Sequence, residues 1–191
     1  MPRAMSLRDA LSALAKRFAV AEEHLNRLDA ATGDGDHGST MARGMAAVAA
    51  AVQARPPAST ERSLLADAGD AFLASAGGAS GALFGSLLLE FAQHDHWLER
   101  IEHGAQRVAA RGKARAGDKS MLDALLPAAA AMASGNLAAA ARAAADGAQA
   151  TVPMAARRGR ARYVEHAGVG HVDPGAVSIA LMLETLAEYG A

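Results

Sequence analysis

Apolar residues in the first thirty positions recur at Leu7, Leu11, Leu14, Phe18, Ala21, Leu25 and Leu28. Steps of four and three residues put them on one stripe of a helix, and the pattern predicts about 23 helical residues. A second helix is predicted over about 38–54, ended by "RPPAST". A third follows over about 60–76, with Leu64, Leu65, Ala68 and Phe72 on one face. The glycine-rich break "AGGASG" at 76–81 opens into a fourth, which carries Leu83, Phe84, Leu87, Leu88 and Phe91. Further helices are predicted over about 97–111, 121–133, 137–151 and 175–189. Thr151–Ala156 fits either the end of the seventh helix or the loop after it. No segment alternates as a strand would, so the expected class is all-α with eight helices.

Composition narrows the reading. The chain has 191 residues, enough for one domain, 1–191, with a real core. A net charge of −1 gives no basic field for nucleic acid or an anionic membrane. Absence of cysteine excludes disulfides and thiolate metal sites and fits a reducing compartment. No apolar run approaches the roughly 20 residues of a membrane span. The start, "MPRAMSLRDALSALAKRF", lacks an uninterrupted apolar stretch, so a cytoplasmic protein is expected. Apolar residues make up 51 % of the chain but aromatic ones only 4 %. Much of the remainder is alanine, the best helix former, whose small side chain lets helices approach closely. The alanine-rich 128–150 stretch is read as a tightly packed helical hairpin.

Three connections are too elaborate for simple turns: the acidic stretch, "RGKARAGDKS" at 111–120, and "RRGRARYVEHAGVGHVDP" at 157–174. Loops that long in a compact domain are usually functional. The acidic stretch, "ATGDGDHGST" at 31–40, places Asp34 and Asp36 either side of a glycine, with Asp29 just upstream. "GDGDHG" spells G-x-G-x-x-G, but that fingerprint needs a preceding strand, and here a long amphipathic helix precedes it. An EF-hand fails because its twelfth position would be Met45. "GDKS" at 117–120 lacks the glycine that a Walker A lysine follows. Three carboxylates with no cation among them repel one another unless a positive charge is supplied. Asp29, Asp34 and Asp36 can form an oxygen cup for magnesium, which takes carboxylates plus water and substrate phosphates. The alternative is that Asp34 and Asp36 are turn and N-cap residues. Spacing alone leaves the two readings even.

"SAGGASGALFGSLL" at 75–88 opens a helix on glycines, and such a start offers unpaired N–H groups suited to phosphate. Taken alone, Ser80 as the cap of a helix–helix turn is the plainer reading; beside a carboxylate–metal cup, a phosphate cradle is the better one, since magnesium and phosphate come together. Arg160 and Arg162 in the third loop are natural partners for phosphate oxygens, and Asp173-Pro174 reads as an N-cap followed by Pro at N1. "HDH" at 94–96 sits at a helix boundary near Trp97 and reads as surface loop.

Four blocks in order, "LDAATGDGDHGSTMARG" (28–44), "SAGGASGALFG" (75–85), "RGKARAGDKSMLDALLPA" (111–128) and "GRARYVEHAGVGHVDPGA" (159–176), resemble the nucleotide-binding L subunit, or C-terminal domain, of dihydroxyacetone kinases. The resemblance spans nearly the whole chain. It implies an eight-helix antiparallel barrel with ADP or ATP bound at one end through a pair of magnesium ions. Asp29, Asp34 and Asp36 match the metal ligands. His37, Gly38, Ser39 and Thr40 match nucleotide contacts. Ala79 and Ser80 match the phosphate-side turn, Gly112 and Met121 the adenine and ribose positions, and Arg160, Asp173, Pro174 and Gly175 the closing loop. Arg162 stands where a small residue is expected, which leaves open which arginine reaches the nucleotide. The resemblance further implies a kinase subunit inactive alone. Its partners would be a K-type ketose-binding subunit and, in one version, a phosphotransferase-system donor that rephosphorylates resident ADP. A version exchanging ATP, a nucleotide-sensing module and a homodimer stay open.

Overall fold

The computed structural model describes residues 6–189. Among them are eight α-helices and no strand: α1 (Leu7–Ala30), α2 (His37–Gln53), α3 (Glu61–Ser75), α4 (Gly78–Phe91), α5 (Trp97–Gly112), α6 (Leu122–Ser134), α7 (Leu137–Ala150) and α8 (Pro174–Ala187). Thr151–Ala156 lies outside α7, in the connection to α8. Several starts are fixed by the chemistry expected of caps. Ser6 and Asp9 form a capping box, and Thr60, Asn136 and Asp173 each accept a first-turn N–H.

Each helix packs on the next, and α8 returns to α1. The connections, short or long, reverse the chain between sequential neighbours, so the helices close into an antiparallel barrel. The closing seam is held by Arg17, which pairs with Glu184 at 2.5 Å and Glu188 at 3.3 Å. Tyr189 Oη donates to the Ser6 carbonyl at 2.6 Å across the same seam. The interior is filled by Leu11, Leu14, Phe18, Leu25, Met41, Met45, Phe72, Phe84 and Phe91. Where bulk is scarce, backbones come close: Ala124 and Ala128 of α6 and Ala140 and Ala144 of α7 are all fully buried. The alanine-rich stretch is thus a packed hairpin.

Alternation decides where chemistry can gather. The α1–α2, α3–α4, α5–α6 and α7–α8 connections share one end of the barrel, and the other three share the opposite end. "HDH" lies at the latter, with His94 stacked on His103 at 4.3 Å and its carbonyl accepting from buried Arg100.

Gly38 is required by packing rather than by its torsion angles. A Cβ there would overlap the Glu22 carbonyl oxygen of α1. Gly38→Ala is expected to push α2 off α1 and cost roughly 1–3 kcal/mol, as overpacking does. Thermal unfolding with no change in stability would refute that account.

Candidate functional site

Four odd-to-even connections surround a cleft of about 790 Å³. The acidic loop forms one wall. Asp29, in the last turn of α1, turns back so that its Oδ2 accepts the N–H groups of Gly35 (2.9 Å), Asp36 (3.0 Å) and His37 (3.2 Å). One carboxylate oxygen therefore folds the loop and satisfies the start of α2. Asp36 occupies the N-cap position of α2, yet its side chain makes no capping bond. The cap reading of Asp36 does not hold, because Asp29 already does that work. Ligand atoms of Asp29, Asp34 and Asp36 all lie within 4.8 Å of one another. Asp34 pairs with Arg160 of the α7–α8 connection, which brings a positive charge to the loop from outside its own segment.

His37 is 5 % exposed. Its Nδ1 lies 3.0 Å from Ser80 Oγ of α4 and its Nε2 2.8 Å from Ser178 Oγ of α8. Burial lowers its pKa to about 4, with the Asp29 charge opposing. The ring is neutral at pH 7 and ties three helices together at the cleft. Across from the acidic loop, α4 begins on Gly77 and Gly78 with no side-chain cap. Ser80 lies inside that helix, so the capping alternative fails there too, and Ala79 and Ser80 line the cleft beside an uncapped helix start.

Other expected residues divide. Thr40, Gly112, Met121, Arg160, Asp173, Pro174 and Gly175 line the cleft. Gly38 and Ser39 do not. Both face α1, where Ser39 Oγ donates to Glu22 at 2.7 Å and its N–H donates to Asn26 Oδ1 at 3.0 Å. At a helix start, successive side chains diverge by about 100° per residue, so neighbours of a cleft residue point elsewhere. The two arginines also part. Arg160 borders the cleft, whereas Arg162 stacks on Tyr163 with its guanidinium 4.4 Å from the ring. Asp173 caps α8 through Ala176 N–H at 2.7 Å. Burial raises its pKa to about 7; the Ala176 bond and Lys119 oppose this, while Asp123 and Asp29 add to it.

Sequence reasoning missed Lys119, Arg43 and Arg158, which also line the cleft. Lys119 is only 2 % exposed. The visible signal was its place in the long 111–120 loop between Asp118 and Asp123.

A family model described as the DAK2 domain matches residues 31–188. The chain is 35 % identical to the PEP-dependent dihydroxyacetone kinase, ADP-binding subunit DhaL, of Escherichia coli, with 89 % of each covered. It is 37 % identical to the L-erythrulose 1-kinase of Mycolicibacterium smegmatis, covering 88 % of this chain but 32 % of that one. Among solved structures, the dihydroxyacetone kinase from C. freundii in complex with AMP-PNP and Mg2+ superimposes with a TM-score of 0.79 at 28 % identity, over 98 % of this chain and 36 % of the other. This chain therefore spans most of the bacterial subunit and only a minor part of the longer kinases. With its closed ring of helices and its acidic loop inside the matched span, the chain belongs to the DAK2-domain family, that of the dihydroxyacetone kinase nucleotide-binding L subunits.

Proposed function

We propose that this chain is the nucleotide-binding subunit of a dihydroxyacetone-type kinase. It holds ADP or ATP with Mg2+ in the cleft and passes a phosphoryl group to a ketose on a separate K subunit. The observation that carries the reading is the set Asp29, Asp34 and Asp36, converging within 4.8 Å at a cleft whose opposite wall is an uncapped helix start. Hard carboxylate oxygens fit magnesium. The Asp36 side chain is not spent on capping, and Asp29 keeps Oδ1 for a ligand while Oδ2 holds the loop. Bound magnesium would neutralise phosphate charge and fix phosphate orientation, which is most of what phosphoryl transfer needs.

The chain's own residues do the rest. N–H groups at the start of α4 face the phosphates, with Ala79 and Ser80 at that turn. His37 stays neutral and fixes Ser80. Gly112 and Met121 border the base and ribose. Arg160, beside Asp34, lies within reach of phosphate oxygens. Nothing along this cleft resembles a covalent sugar site, so the ketose is assigned to the partner, which must meet the open end of the barrel.

Similarity to the E. coli subunit over matching lengths favours resident ADP, rephosphorylated by a phosphotransferase-system protein. Similarity to the erythrulose kinase favours ATP as an exchanging substrate. ADP that survives gel filtration, with activity only when the donor protein is added, supports the first. Sustained turnover on Mg·ATP with the K subunit supports the second. Neither activity, with nucleotide binding intact, points to a sensing module. Ketose phosphorylation by this chain alone would refute the division of labour.

Ligand linkage gives a direct check. Free nucleotide at about 100 times its Kd adds roughly 2.7 kcal/mol to a fold that alone binds it. For a domain of this size that is roughly 5–10 °C in Tm. Mg·ADP should produce the full shift and ADP with chelator far less. Equal shifts would mean that the acidic loop holds no metal.

A further inference from the structure

The α7–α8 connection is a strap. It leaves the barrel at Thr151, crosses the cleft mouth with Arg158 and Arg160, and returns at Asp173. Apart from local turns, two backbone bonds join its outgoing and returning limbs: Ala156 N–H to the Ala167 carbonyl at 2.8 Å, and Gly170 N–H to the Val152 carbonyl at 2.8 Å. Such a segment is exposed and costly to order unless something fixes its ends. Lys119 sits beneath both ends. Its ammonium donates to the Thr151 carbonyl at 2.7 Å and to the His171 carbonyl. Thr151 Oγ1 in turn accepts from Asp173 N–H at 2.8 Å, linking the two ends directly. The strap also rests on the lysine stem. Gly168 is buried with φ +71°, and a Cβ there would lie 3.5 Å from Lys119 Cε and 3.1 Å from Thr32 Cγ2 of the acidic loop.

Lys119 reaches this place through a left-handed backbone, φ +60°, unusual for a lysine. Its neighbour secures the strap's inner stretch. The Asp118 carbonyl accepts Arg157 N–H at 3.0 Å, and its carboxylate accepts Arg158 Nε at 3.3 Å. A buried ammonium needs several acceptors, and here two carbonyls meet it with Asp173 and Asp123 close enough to favour its charge. Burial is the larger influence and lowers the pKa.

We propose that Lys119 is a positioning residue: its ammonium clasps both ends of the strap and thereby sets where Arg158 and Arg160 stand at the cleft. As far as nucleotide is concerned, this rests on the function proposed above; the clasp itself does not. Without the clasp the barrel remains, but the arginines lose their place.

Hydrogen exchange on ligand-free protein tests the clasp directly. In Lys119→Met, which keeps length and volume, the amides of Ala156, Gly170 and Asp173 should exchange about tenfold faster or more, the equivalent of one lost charge-assisted hydrogen bond. Amides of α1–α4 should be unchanged. Mg·ADP affinity should fall by a similar factor, and Mg2+ alone should bind as before. Lys119→Arg, which can still donate to both carbonyls, should recover most of the affinity. Should the Met variant not fold, Lys119→Gln keeps one amide donor and replaces it, with the same local loosening expected. Unchanged strap exchange, or faster exchange spread evenly over all helices, would overturn the proposal. A wild-type chain that binds no nucleotide would sink the proposed function yet leave the exchange result to decide the clasp.

Discussion

Asp34→Asn should lose most magnesium-dependent ADP binding and keep its helical fold. The substitution preserves shape and removes one of three converging charges. Outer-shell partners of metal ligands are worth about 10–100-fold in affinity, so a ligand itself should cost on the order of 100-fold. The fold has little at stake. The Asp34 side chain is 44 % exposed and its ion pair is with Arg160, 68 % exposed. Pairs of that kind contribute about 0–1 kcal/mol, and relief of repulsion with Asp29 and Asp36 works the other way. Calorimetry would be run with ADP in the presence of Mg2+ and again with chelator. Unchanged affinity with Mg2+ removes Asp34 from the ligand set.

Acid titration should reveal two desolvated groups pulling in opposite directions. His37 has a folded pKa of about 4 against an ordinary 6.5, so between these values the unfolded chain binds the extra proton. Its contribution is present above pH 6.5 and is lost as pH falls towards 4. Asp173 has a folded pKa of about 7 against 3.8, so there the folded chain binds the extra proton. Its contribution is present below pH 3.8 and is lost as pH rises through 7. By the usual conversion the full effects are about 3 kcal/mol for His37 and about 4 kcal/mol for Asp173, and wild-type stability in chelator should change little between pH 4.5 and 7, where they largely cancel. Asp173→Asn should uncover the histidine and lose stability on acidification. His37→Gln should uncover the aspartate and gain it. Denaturant unfolding that gives parallel pH profiles for all three proteins would contradict both assignments.

How much was legible in the sequence follows from what each feature depends on. Helices were readable because burial on one face writes a 3.6-residue rhythm, as from Leu7 to Leu28. The acidic cup was readable because three carboxylates lie close along the chain itself. Motif adjacency says nothing about direction, and the turn fixed by Asp29 packs Gly38 and Ser39 against α1. Which arginine reaches the cleft depends on a short 3-10 turn, Arg160–Tyr163, that no periodicity marks. Lys119 was missed for the same kind of reason. A lysine in a polar loop reads as solvated, and only its left-handed backbone turns it inward. Asp29 accepts three backbone N–H groups, a structural role that spacing could not distinguish from the expected metal binding.

The seam between α1 and α8 bears on how this chain can be rewired. Tyr189 reaches the Ser6 carbonyl, so the two ends of the described chain meet, and they meet at the end of the barrel away from the cleft. A short linker between them would turn the ring into an endless chain, which could be reopened at any far-side turn, such as Gly135–Asn136 between α6 and α7. Circular permutation of that kind leaves all four cleft connections intact. It would also let a second polypeptide be joined at a chosen turn and carried around the barrel, without crossing the mouth of the cleft.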